Sequence, residues 1–415
     1  TDLVPASVDV TGPARFDEVL PVPQPRDSRY KHTEQMREEL AAFYVDVAVH
    51  AFPRRDPVIE DLDEKALFKR DPYTSMEGVR THLPAPAAYP ELDPSRVIDP
   101  AEVVDLTSRL QPNGRLEWDV PPGEWTILRL GRRATGSNTQ PAPAAGLGFE
   151  SNKFDKRALD THFAAYFDPL LERIGPRPMD RTTGFTGLDA DSWEMGAQNW
   201  TAGFREEFRK RRGYDPRPYL PVYSGRVVES LEVSERFLWD VRMTCQELLL
   251  ENHIGHMRTL CHERGLKLSI EPYDMTPTND MDLGSFADIP MGEFWHQGYN
   301  SAWSCIEAAS LGHVMGRPIV ASEAFTSSGT WWTKSPWAIK NQGDWALAMG
   351  INRFVIHGFA HQPWLDRAPG MIMGGWGLNW ARTQTFWPMV EGYHRYLARC
   401  SHLLQQGVTV SEILY

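Results

Sequence analysis

Leu266-Lys267-Leu268-Ser269-Ile270-Glu271 is the stretch that decides the fold. Leu266, Leu268 and Ile270 alternate with polar residues, which is the period of a β-strand. Before it runs a long amphipathic segment, Ser234 to Arg264, and Gly265 between the two is the residue type that ends a helix in the left-handed conformation. Alternation of helices and short apolar strands recurs on both sides. Upstream, Phe154 to Ile174 is expected to be helical, with Leu159, Phe163, Phe167 and Leu171 at i, i+4 spacing, and Phe185-Thr186-Gly187-Leu188 to be a strand. Downstream, Ile289 to Phe294, Pro318 to Ser322 and Arg353 to His357 are apolar runs bounded by helices or loops. Such alternation predicts parallel βαβ units. About five strands are counted in this way, and Val410 to Tyr415 reads as one more. A closed (β/α)8 barrel of the TIM type needs eight, so residues 151–415 are expected to be a barrel that is incomplete in this chain.

Residues 1–150 follow a different pattern. Val8-Asp9-Val10, Val45 to Val49 and Trp125 to Leu130 are short apolar runs separated by Pro and Gly. Leu116-Glu117-Trp118-Asp119-Val120 alternates as a half-buried strand does, and Pro121-Pro122-Gly123-Glu124 after it is a turn signal. Pro84 to Pro100 is Pro-rich and expected to be loop. An antiparallel β-sandwich is the natural home for this half, and the fold class is therefore α/β plus all-β.

The formal charge of −12 and pI of about 5.6 disfavour a nucleic-acid partner, whose phosphates would be repelled. No apolar run approaches the roughly 18 residues of a membrane-spanning helix. The 15 Trp of this chain suit a carbohydrate ligand, since indole faces pack on sugar rings, although most are expected in the core. Cys245, Cys261, Cys305 and Cys400 are widely spaced and read as free thiols. The chain starts at Thr1 without Met or a signal peptide, which suggests a processed or excerpted piece. Nothing in it bears on oligomeric state.

What stands at the carboxyl end of each strand is more informative. Asp189, Asp191 and Glu194 follow the first run, Glu271 the second, Glu293 the third and Glu323 the fourth, while His357 and His361 follow the fifth. Barrel active sites are built from several strands at that end. A single Glu there is more often an ion-pair partner, but five consecutive strands delivering Asp, Glu or His form a pattern. Glycoside cleavage needs one carboxylic acid to protonate the leaving oxygen and a second carboxylate to activate water or attack. The acid must keep its proton near neutral pH, which apolar or negative neighbours favour, and Glu194 has both in Trp193 and Asp191. Surplus carboxylates suit a hard cation. Trp193, Trp200, Trp295, Trp331, Trp332 and Trp364 cluster around the same points, Trp331-Trp332 in the Ser/Thr/Gly-rich segment from Thr326 to Thr333. His357 and His361 have zinc-like spacing, but Gly358 between them argues for a strand exit, where a sugar-hydroxyl donor or a packed histidine is the simpler reading.

Several motifs in sequence order carry a resemblance. Gly187-Leu188-Asp189-Ala190-Asp191-Ser192-Trp193-Glu194 resembles the acid-bearing strand end of glycoside hydrolase family 106, the α-L-rhamnosidases. Pro121-Pro122-Gly123-Glu124-Trp125, Arg132-Arg133-Ala134-Thr135-Gly136, Gly148 to Lys153, Met291 to Trp295 and Ala321 to Ala324 are similar to that family's motifs. The resemblance implies an inverting, calcium-dependent bacterial enzyme, periplasmic or secreted, with a barrel interrupted by a β-sandwich. By motif, Glu194 would be the general acid and Glu323 the general base, with Asp191 assisting. Asp189 and Glu293 would be metal ligands. Glu293, Glu271, Trp193, Trp295, Trp331, His357 and His361 would contact sugar. The sequence departs from the family at Asn152, where Asp is expected, and lacks the family's leading barrel strands, so its five would be the fourth to eighth. Three rival readings remain: a retaining β-galactosidase-like hydrolase, a non-catalytic carbohydrate-binding protein, and a metal-dependent hydrolase built on His357, His361 and a carboxylate.

Overall fold

A computed structural model of the chain describes residues 1–26, 30–60, 62–66, 88–139, 142–175, 185–273, 278–329 and 332–410. The described residues fall into two compact units, each discontinuous in sequence. One takes in residues within 1–66, 88–162 and 195–253, and the other residues within 163–194 and 254–410. The sequence changes pattern once, near residue 150, whereas the chain crosses this division more than once.

The first unit is built on a four-stranded antiparallel sheet. Strands β1 (Asp2–Val19), β2 (Val45–Pro53), β3 (Val104–Asp105) and β4 (Arg115–Arg133) lie in the order β1-β4-β2-β3. Leu116, Trp118 and Val120 of β4 are buried with Phe16, Val49 and Ala51, while Asp119 between them is exposed, as the alternation predicts. The described antiparallel strands make one sheet rather than the two of a sandwich. The expected turn at Pro121 to Glu124 does not form, because β4 runs straight through it and pairs with β1 on both sides. The register slips there, between Gly12 opposite Gly123 and Ala14 opposite Val120, so neither proline is asked for a ladder N–H. The crossing is close: a Cβ on Gly12 would lie 1.9 Å from the Pro121 carbonyl oxygen. Helices Phe204–Arg212 and Leu231–Leu249 belong to the same unit, the latter capped by Ser230, whose hydroxyl accepts the Val233 N–H.

The second unit holds the five expected parallel strands, β5 (Gly187–Ala190), β6 (Lys267–Ile270), β7 (Ile289–Gln297), β8 (Ala321–Ser327) and β9 (Arg353–Ile356). They neighbour one another in chain order in a curled, half-barrel sheet. Helices Gly255–Glu263, Trp303–Val314 and Pro336–Ala348 lead into β6, β8 and β9, and Gly265 takes a φ of 66°. The two long helical expectations hold with an interruption each, a wider π turn at Phe163–Phe167 and at Leu250–Ile254. Two strands lie later than expected. The first is Gly187–Ala190, and the fourth starts at Ala321 because Pro318 has no N–H to give and the Val320 N–H bonds to the Asn352 side chain. Asp189 and Glu323 therefore stand within strands rather than after them. Phe294, Phe325, Ile339, Ile351, Leu378 and Trp380 are buried together behind β7 to β9. The terminal strand expected at Val410 to Tyr415 falls almost wholly outside the described residues. No described helix is long and apolar enough to cross a membrane.

Candidate active site

The site lies in the second unit and begins with register. Glu293 of β7 and Glu323 of β8 are partners across the ladder, so their side chains leave the same face of the sheet side by side. Beyond them β8 bulges. Ala324 pairs with Phe294 and Thr326 with Trp295, leaving Phe325 as an extra residue, fully buried at a φ of 63°. The extra residue brings Thr326 onto the face of Glu323, where a regular strand would turn it away. The Thr326 hydroxyl donates to Glu323 Oε1, and on the next strand the Trp295 indole N–H donates to Glu293 Oε1. Each carboxyl thus carries its own donor from the following pleat.

Further carboxyls come from β5 and β6. Asp189 faces Ser269 across the ladder, and the Glu271 N–H bonds to the Ala190 carbonyl at 3.0 Å. Asp189, Asp191 and Glu271 each offer a carboxylate oxygen, and these oxygens lie within 4.8 Å of one another. Asp191 is held by the Ser192 N–H at 2.8 Å, and Glu271 Oε2 accepts the Tyr273 hydroxyl at 2.7 Å. Glu271 Oε1 is buried and has no hydrogen-bond donor among the described residues.

So many acids in one place disfavour full ionisation. Burial, and then the Glu323 carboxylate, push Glu293 up to about 9. Burial raises Glu271 well above the usual carboxylate range, helped by Glu323, Asp191 and Asp189. Asp189, which water reaches but protein rings, is pushed to about 6, first by lost solvation and further by Asp191 and Glu323. Glu323 is common to all three effects and so sits at the electrostatic centre of the group.

The structure brings together Asp189, Asp191, Glu271, Glu293, Glu323 and His357. His357 Nδ1 stands 3.8 Å from Glu323 Oε1, too far for a direct hydrogen bond, and has no other partner among the described residues. Glu194 lies past β5 on the exposed loop, where the Ser192 hydroxyl donates to its Oε1 at 3.1 Å. Trp193 beside it is buried. Trp295 is half-buried and meets Trp376 edge-on at 5.6 Å. His361 is exposed on the loop after β9, Trp364 nearby is half exposed, and Trp331 lies outside the described residues. Glu293 does not join the converging oxygens. It is committed to Trp295 and to Glu323, and Glu271 takes the place expected for it beside Asp189. Neither His357 nor His361 belongs to a converging set of three metal-type ligands among the described residues. Sequence reasoning missed Thr326, Tyr273 and Gln342, whose amide holds the Trp295 carbonyl at 2.7 Å. Tyr273, two residues after Glu271, was open to a strand-parity reading; the bulge concealed Thr326.

Three convergent carboxylate oxygens, one group buried with an oxygen no donor serves, are the hard donor set that suits calcium. Asp189, Asp191 and Glu271 therefore fit the cation implied by the motifs.

The family model for glycoside hydrolase family 106, alpha-L-rhamnosidase, matches residues 1–415. A curated relative from Formosa agariphila, named "Putative beta-glucuronidase", is 42% identical over 375 residues, 90% of this chain and 31% of the relative. The solved rhamnosidase from Novosphingobium sp. PP1Y has a TM-score of 0.78 at 23% identity, over 98% of this chain and 50% of that one, a likeness of fold. The chain thus spans about a third of the curated relative and half of the solved structure.

Proposed function

Since this chain belongs to glycoside hydrolase family 106, we propose that it carries the active site of an inverting α-L-rhamnosidase and that the five parallel strands are part of a (β/α)8 barrel. The observation that carries this reading is the pairing of Glu323 with Glu293 at the centre of a carboxyl cluster on consecutive parallel strands. In the proposed reaction Glu194 protonates the glycosidic oxygen while Glu323 takes a proton from water on the opposite face of the sugar. An inverting enzyme holds these two carboxyls about 6.5–9.5 Å apart to admit the water. Thr326 orients the Glu323 carboxylate toward that water, and Glu293, protonated at neutral pH, adds no second negative charge beside it. Asp189, Asp191 and Glu271 would hold a calcium ion, which would supply positive charge for sugar hydroxyls.

Proton NMR of the full-length parent acting on 4-nitrophenyl α-L-rhamnoside tests this: β-L-rhamnose as the first product is expected. An α-anomer would show retention and overturn the assignment of Glu323 as base. The name of the 42% identical relative favours one second reading, a terminal β-glucuronide as substrate. The corresponding aryl β-glucuronide, assayed in parallel, separates the two by turnover.

A further inference from the structure

A cavity of about 650 Å³ lies in the first unit and is lined by that unit alone. Its size falls in the range of ligand sites, about 300–1,000 Å³. Val45 to Ala48 of β2, Arg132 of β4 and the start of the Phe204–Arg212 helix are among its walls. Most charges on these walls are already paired. Asp46 is gripped by both arms of the Arg129 guanidinium at 2.7 and 2.9 Å. Arg205 forks onto Asp215 at 3.0 and 2.7 Å, and Arg217 spans Asp215 and Asp105.

Arg132 differs. It is half-buried, its Nε is enclosed without an acceptor, and it touches the Phe43 ring, 5.7 Å from the guanidinium carbon. Its neighbour Arg133 donates through one amino group to the Ala41 and Phe43 carbonyls. No hydrogen bond or ion pair with another described residue serves the Arg132 guanidinium. The planar fork of a guanidinium matches a carboxylate or sulfate edge. Arg132 sits on the central strand between Leu3 and Val45, a rigid mount for a recognition group. On the rim, Glu206 and Ser108 are exposed, and they offer an acceptor and a hydroxyl of the kind ring hydroxyls bind. The cavity is too large for a bare anion.

We propose that the first unit binds an acidic saccharide in this cavity, with Arg132 taking the acid group and Glu206 and Ser108 serving the sugar hydroxyls. The site is independent of the reading given to the carboxyl cluster. The acid is a carboxylate or a sulfate.

The test is titration calorimetry of the full chain with trigalacturonate, a sulfated galactose disaccharide and cellotriose. At least one acidic probe should saturate, tighter than cellotriose by tenfold or more, and weaken as salt is added. Which acid binds separates the two sources. Arg132→Gln should weaken it at least tenfold, and so should Ser108→Trp, which fills the mouth from an exposed position and so gives an answer even if the first variant does not fold. Glu323→Gln, in the other unit, should leave it unchanged. Absence of binding by either acidic probe, equal binding of cellotriose, binding indifferent to both cavity variants, or loss in Glu323→Gln would overturn the proposal.

Discussion

Glu293→Gln should stabilise the protein at neutral pH, and by an amount that acid removes. Glu293 is 5% exposed and stands in register with a second carboxylate. In the unfolded chain it ionises near 4.5, whereas in the fold it keeps its proton up to about 9. Between those values the native state holds more protons than the unfolded state, so stability is fully present below 4.5 and is lost as pH rises through 9. At about 1.4 kcal/mol per pH unit, the ionisation foregone costs roughly 3 kcal/mol at neutral pH and about 6 kcal/mol near the upper end. Glutamine has nothing to ionise. Its carbonyl still accepts from Trp295 and its amide donates to Glu323 as the carboxyl proton did. Urea unfolding of the second unit, followed by tryptophan fluorescence at several pH values, should show the variant ahead by roughly 3 kcal/mol near pH 7 and level with the wild type below about pH 4.5. Because a neutral amide replaces a neutral acid, turnover near pH 7 should stay within about tenfold, and any alkaline fall near pH 9 should vanish. A variant less stable than the wild type at neutral pH, or a gap that does not close on acidification, would refute the shared-proton account of this pair.

The remaining expectations are shorter. Glu323→Gln should cut turnover by about 10²–10⁴ whatever the leaving group, whereas Glu194→Gln should do so on natural glycosides but barely on 2,4-dinitrophenyl glycosides, whose leaving group needs no proton; steady-state assays on both substrates check this. Calcium should raise the unfolding temperature of the wild type and not that of Glu271→Gln, a difference read by calorimetry with and without a chelator. Thr326→Val removes the hydroxyl that Glu323 accepts, a bond to a charged group worth about 1.5–3 kcal/mol, so kcat should fall roughly 10- to 150-fold with KM little changed. In the first unit, burial holds His50 down to about 4. Its stabilising effect is present above the unfolded value near 6.5 and is lost as pH falls through 4, by about 3 kcal/mol in all. His50→Leu should flatten that acid limb in a melt series, and an unchanged limb would count against it.

Much of the second unit was legible because each strand is short, apolar and followed by polar chemistry. The run Leu266 to Ile270 after Gly265 gave its strand within one residue, and the chain order of the five strands is their spatial order. The carboxyl cluster was visible for the same reason. Errors arose where one local signal competed with another. Pro121-Pro122-Gly123 has turn chemistry, but long pairing of β4 with β1 overrides it at a register slip. Pro318 to Val320 is apolar like a strand, yet its backbone is occupied by Asn352 and the Arg353 N–H. Ligand grouping was also out of reach. Glu271 and Glu293 look equivalent in sequence, and only the indole N–H of Trp295 and the neighbouring Glu323 separate their tasks.

The additional residue in β8 makes the length of that strand part of its chemistry. Ahead of Phe325, odd positions look toward the cleft; behind it, even ones do. A lineage that dropped the Phe325 codon would lose one buried ring yet leave the threonine on the carboxylate's side, two residues along a regular strand. Against a relative whose strand is regular, only an alignment with a one-residue gap at Phe325 pairs residues of the same side.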